Sequence, residues 1–247
     1  SYTVQSSGYK KAAGQFKLTT DNFREPLVIS ETLEVSGEWD GVSVDTAWYD
    51  KDPDASVFYI YTADELAGLA QVVNSGKTTF AGKIVNLMSN ISLGSAKWTP
   101  IGEYSMRGDR PYFGGTFDGN GCSITVNDGE YSAQLQAIGL FGSVRGTNDS
   151  KRAVVKNLTV QGNIHANVNI SGMVIDYAGG IAGHATFATF ERVSNNASID
   201  LKVNTTSTAS VNLGGIVGWS MYNNFIECSN QGNVTGNIEK SGGTAVC

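Results

Sequence analysis

Gly179-Gly180-Ile181-Ala182-Gly183 leads through Phe190-Glu191-Arg192-Val193-Ser194-Asn195 to Ile199, and the pattern then returns. The second copy reads Gly214-Gly215-Ile216-Val217-Gly218, Phe225-Ile226-Glu227-Cys228-Ser229-Asn230 and Val234. The two align without a gap at a spacing of 35 residues. A looser copy begins at Gly139-Leu140-Phe141-Gly142, and its second half, Asn157-Leu158-Thr159-Val160-Gln161-Gly162-Asn163-Ile164, is in register with both later ones. Its glycine-rich half is offset by six extra residues, which fit an insertion at the polar run Arg145 to Arg152. Insertions at one point of a repeat mark a loop on one face.

A repeat at fixed period without helical patterning specifies a solenoid whose units stack their apolar faces. The fold expected is all-β, a parallel sheet coiled into a solenoid. Each 35-residue unit holds two glycine-bounded apolar pairs, which reads as two coils of roughly 17 to 20 residues. Leu158, Val193 and Cys228, and Ile181 and Ile216, would form inward ladders. Asp118-Gly119-Asn120-Gly121 is a strong turn signal that would ordinarily close a hairpin. In a coiled parallel sheet it makes a corner instead.

Working outward toward the N-terminus, Thr62-Ala63-Asp64-Glu65 is a capping box. Leu66, Leu69, Ala70 and Val73 form one apolar stripe at helical spacing, and Gly76 favours a left-handed stop. This predicts an amphipathic capping helix over 62–75, laid across the open end of the coiled sheet. Residues 1–50 read as a strand-rich leader, with strands at Phe16–Thr19, Leu27–Ser30 and Thr32–Val35 and a loop from Asp40 to Pro53. Residues 51–247 form the β-helix. Gly242-Gly243 looks like the start of another copy, which suggests a fragment of a longer protein.

Composition agrees with this reading. There are 30 Gly, 20 Asn and only 4 Pro, a balance that suits short strands joined by tight corners. The net charge of -6 and the lack of a basic cluster argue against a nucleic-acid partner. No apolar run approaches the roughly 20 residues that span a bilayer, so no membrane insertion is expected of this chain. No secretory signal peptide opens it, which fits a mature chain, a piece of a longer one or a cytosolic protein. Cys122, Cys228 and Cys247 lack metal-ligand spacing and read as buried free thiols. No metal or other cofactor is expected.

Several motifs together resemble one family: the Thr62–Gly76 helix, Trp98-Thr99-Pro100-Ile101-Gly102, Thr116-Phe117-Asp118-Gly119-Asn120-Gly121, Gly139-Leu140-Phe141-Gly142 and the later Gly-Ile-x-Gly copies. They resemble the GLUG-repeat surface proteins of bacteria, which are similar to pectate-lyase-like right-handed parallel β-helices. The resemblance covers about residues 46–247. It implies the fold and an extracellular setting on a bacterial cell surface, often in long adhesin-like proteins, some with a separate enzymatic domain. It implies no single activity. Cys122 stands where a His is common in the family.

Two constellations bear on function. His184 and Trp219, and Phe187 and Tyr222, each recur at the repeat period. Exposed together on a solenoid they would form an aromatic stripe able to stack on sugar rings, with Asn223 and Asn224 supplying hydrogen bonds. Glu103, Asp109 and Asp118 could alternatively supply the carboxylates of a polysaccharide lyase or glycoside hydrolase. Turn formation and a solvated loop explain them more simply. The expected function is therefore a non-catalytic module presenting a rigid surface to a glycan or surface protein. A polysaccharide lyase or glycoside hydrolase, and a structural stalk of a larger surface protein, are the alternatives.

Overall fold

Consecutive repeat copies lie side by side. The structure is a computed structural model. It describes residues 2–4, 12–14, 38–105, 107–108, 110–126, 137–170, 174–205 and 209–240. The chain divides into residues 1–37 and 38–247. In the first unit, β1 (Tyr2–Val4) and β2 (Ala12–Gly14) pair antiparallel. The three strands expected between Phe16 and Val35 lie outside the described residues, as does Cys247.

The second unit is a parallel β-solenoid of about four turns. Its elements are α1 (Ala47–Asp50), β3 (Val57–Ile60), α2 (Ala63–Asn74), β4 (Ile84–Leu87), β5 (Ile91–Ser92), β6 (Thr116–Asp118) and β7 (Ser123–Val126). They continue as β8 (Ala137–Ile138), β9 (Phe141–Arg145), β10 (Ala153–Ile170), β11 (Val174–Gly179), β12 (Ala182–Thr186) and β13 (Ala188–Thr205). The last are β14 (Ala209–Gly214), β15 (Val217–Met221), β16 (Asn224–Ile226), β17 (Ser229–Asn230) and β18 (Val234–Lys240). One ten-stranded sheet runs β16-β13-β10-β6-β4-β3 with β5, β7, β17 and β18 beside it, and two three-stranded sheets run β14-β11-β8 and β15-β12-β9.

The register corrects the expected coil length. Ala188 pairs with Ala153 and Val217 with Ala182, so strands 35 residues apart are direct neighbours. The 35-residue unit is one coil, not two. Its glycines fall both at bends, as Gly180 and Gly215 do, and inside strands, as Gly183 in β12 and Gly218 in β15 do.

Inward ladders follow from the register. Phe58, Val85, Phe117, Val155, Phe190 and Phe225 stand opposite one another in successive coils. The first five are buried, while Phe225, in the last described coil, is exposed. Removing one such side chain from water contributes about 1.5–3 kcal/mol. Leu158 and Val193 are likewise paired and buried. Cys228 is only half-buried, as is Cys122, so the expectation of buried thiols is not met. Cys228 lies in the last described coil, with no further described coil beyond it.

The Asp118–Gly121 turn is a corner. β6 and β7, on either side of it, both pair parallel with β10 and not with each other. Asn120 takes a positive φ there, and Asn157, Arg192 and Glu227 do so in later coils. The bends in the 18-residue strands β10 and β13 are made at the second and third of these residues.

Helix α2 closes the N-terminal end. Thr62 Oγ1 accepts from the Glu65 amide, and Glu65 Oε2 accepts from the amides of Tyr61 and Thr62. Leu66, Leu69, Val72 and Val73 are fully buried. Asn74 Nδ2 donates to the Pro100 carbonyl at 2.9 Å and its Oδ1 accepts from the Gly102 amide at 2.7 Å, which satisfies an edge of the next coil. The stretch expected as a loop from Asp40 to Pro53 instead carries α1 and places Tyr49 in the core.

Candidate functional site

β12 and β15 are joined to β13 and β16 by corners at Phe187 and Tyr222, both at positive φ (47° and 58°). A residue in that conformation turns the chain and projects its side chain at the bend. The second corner is held by Asn223, whose Oδ1 accepts from the Ala188 amide while Nδ2 donates to the Ala185 carbonyl and Ser220 Oγ. Asn223 is therefore committed to the protein, which corrects its expected role as a ligand hydrogen-bonder. Asn224 is exposed in β16.

The four aromatic and imidazole residues do pair. His184 and Trp219 stack with ring centroids 4.8 Å apart and planes 6° from parallel. Phe187 and Tyr222 stack at 4.9 Å and 16°. Stacking on this pattern turns ring faces toward the neighbouring coil, so each ring covers a face of the other. A stripe of four free faces is not what forms. His184 is buried, Trp219 and Phe187 are half-buried, and Tyr222 is 62% exposed.

His184 is enclosed further. Tyr104 lies 4.4 Å from it, Tyr177 6.0 Å, and Ser143 Oγ is 3.3 Å from Nδ1. Ser143, His184 and Trp219 are register partners in three coils. Burial first, then the nearby Arg145 guanidinium, pushes the His184 pKa down to about 4. Burial, then the Tyr104 hydroxyl, pushes Tyr177 up to about 12. This imidazole is a neutral packing element at ordinary pH.

The insertion emerges at the same corners. Arg145 pairs with Thr186, just before Phe187, while Ala153 pairs with Ala188, just after it. The intervening residues form a small hairpin bridged between Asn148 and Lys151. Arg152 is largely covered: it donates to the carbonyls of Tyr222 at 2.7 Å and Ala188 at 3.2 Å and pairs with Asp149. Arg145, at the root of the hairpin, lies over the Tyr112 ring at 4.7 Å. Repeat spacing could not reveal Tyr104, Tyr112 or Arg145, because none of them recurs at that period.

Of the carboxylates named as a catalytic alternative, Glu103 and Asp118 each have their own cationic partner. Glu103 pairs with Arg110 at 3.2 Å. Asp118 pairs with Lys156 at 3.2 Å and accepts from Asn157 Nδ2 and the Asn120 amide. Burial alone would raise the Asp118 pKa, but those hydrogen bonds and Lys156 together lower it. Asp109 lies outside the described residues. Among the described residues no group of three His, Cys, Asp or Glu side chains is placed to hold a metal ion.

Family models, curated proteins and solved structures were all compared with the chain, and none matches it.

Proposed function

We propose that the chain is a non-catalytic, adhesin-like solenoid module of the GLUG-repeat kind, displayed on a bacterial cell surface and presenting a rigid face to a glycan. The observation that carries this reading is the corner itself. Tyr222, more than half exposed, stacks on Phe187 beside the one insertion that breaks the repeat. Tyrosine offers a large apolar face with a polar edge, which suits sugar rings. Loops carried on a rigid scaffold are where binding residues concentrate. The corner is pre-ordered by Asn223 and Arg152, so little side-chain entropy would be lost on binding. One or two stacked rings give weak single-site affinity, roughly millimolar to micromolar, strengthened by multivalent display.

The test is a panel of immobilised glycans probed with the native chain and with Tyr222→Ala, after matching their melting temperatures. The expected result is binding to a defined set of glycans that Tyr222→Ala loses by about tenfold or more, the scale of one stacked aromatic ring. Unchanged binding in the variant would remove the corner as the site.

A further inference from the structure

We propose that Arg145 is a docking point for an anionic group, a carboxylate or sulfate, on the polysaccharide bound at the Phe187–Tyr222 corner. This rests on the glycan reading above and names the chemical class of its ligand.

A guanidinium carries five N–H donors and stays charged. Among the described residues no carboxylate or other acceptor partners the Arg145 side chain, whose contact is the face of Tyr112 at 4.7 Å. Three other arginines, by contrast, have partners. Arg152 is bound to Asp149 and two carbonyls, Arg110 to Glu103, and Arg192 to Glu191 and Asn157. The residue is also half-buried, so its missing partners are not fully replaced by bulk water.

Its position then supplies the context. Arg145 ends β9 and stands in register with Thr186 and Met221, the residues that immediately precede Phe187 and Tyr222. Gly146, the next residue, donates its amide to the Thr186 carbonyl at 2.9 Å. Arg145 thus stands where the insertion leaves the solenoid, in register with the residues that lead into the Phe187–Tyr222 corner. Its nitrogens lie 3.7 and 3.9 Å from the place a Cβ would occupy on Gly108. On a chain of net charge -6, a guanidinium that lies over the Tyr112 ring and has no acceptor among the described residues favours an acidic sugar by planar, bidentate hydrogen bonding.

The experiment compares polymers that differ only in charge: alginate oligomers against their carboxyl-reduced form, and dextran sulfate against dextran. Native chain, Arg145→Gln, Arg145→Lys and Tyr222→Ala are titrated with each, and melting temperatures confirm that all four fold alike. The native chain should prefer at least one acidic polymer over its neutral counterpart by about 10- to 100-fold, the usual range for a charge-assisted pair. Arg145→Gln should erase that preference while leaving neutral binding in place, and Arg145→Lys should keep only part of it. Which of the two acidic polymers responds separates carboxylate from sulfate. Equal binding of acidic and neutral polymers, with Tyr222→Ala still deleterious, would overturn the proposal and leave the glycan reading standing. Loss of neutral and acidic binding alike in Arg145→Gln would also overturn it. Binding to none of the four by the native chain would count against both.

Discussion

A side chain on Gly180 would occupy the space of the Asn195 amide: a Cβ built there stands 2.2 Å from both Cγ and Oδ1 of Asn195. The same relation recurs one coil on, where a Cβ on Gly215 would stand 2.3 Å from Asn230 Cγ. The glycine and the asparagine of the repeat are thus one device, seen from its two ends. Asn195 is fully buried and uses that room to donate to Asn230 Oδ1 and the Ala197 carbonyl, and to accept from the Ala197 amide.

Gly180→Ala should therefore destabilise the solenoid by about 2–4 kcal/mol, as overpacking against a fixed polar group does. Asn195→Ala alone should cost about 1–3 kcal/mol, because it removes partners from buried backbone groups. In the double variant the two costs should fall well short of additive, since removing the amide opens the space the methyl needs. Relief should be partial, because the Gly215 carbonyl also lies 2.7 Å from that Cβ. Urea unfolding of the four proteins measures the coupling, and strict additivity would contradict it.

Val193 tests the inward ladder. It is fully buried and paired with Leu158. Val193→Asp places an unpaired charge in an apolar column and should prevent stable folding at ambient temperature, whereas Val193→Ala should cost roughly 1–3 kcal/mol. An aspartate variant that melts with the native protein would be incompatible with the observed register.

How much of this was legible follows from what repeats. The ladder from Leu158 to Val193 rests on hydrophobic positions that recur 35 residues apart, and the capping box of α2 on a local pattern, so both could be read from sequence. The coil length could not. A motif count gives the period, but only the pairing of Ala153 with Ala188 shows that one period closes one turn. The candidate site was half legible. The aromatic pairs follow from spacing, but their mutual stacking hides the faces that an exposed stripe requires. Arg145 and Tyr104 were invisible because they come from the insertion root and a long loop, which carry no periodic signal.

Asn74 tests the cap. Its side chain bonds the Pro100 carbonyl and the Gly102 amide. Asn74→Ala should lower stability by about 1–3 kcal/mol, since two backbone groups at the coil edge lose their partner. Deleting residues 62–76 should go further and expose apolar surface and strand edges, producing aggregation. Light scattering separates the outcomes, and a monomeric deletion variant would show that α2 does not protect that end.

His184 sets an acid limit of its own. Its pKa in the fold is about 4, against an ordinary 6.5, chiefly through burial and then through Arg145. The groups around it are Tyr104, Tyr177, Trp219, Ser143 and Arg145, so no described carboxylate is present to favour the imidazolium. Between pH 6.5 and 4 the unfolded chain therefore binds a proton that the native chain does not. By linkage, this contribution is full above pH 6.5, declines as the pH falls, and is exhausted near pH 4. The total is of order 3 kcal/mol. The carboxylates of Asp40, Asp50 and Asp118 have pKa values lowered from 3.8, so the stability they add is lost only below that window. His184→Phe keeps a planar ring between Tyr104 and Trp219 and removes the titrating group. Urea midpoints of the two proteins between pH 4 and 7 should diverge, with the native chain the more acid-sensitive, and parallel curves would show that His184 does not carry the acid slope.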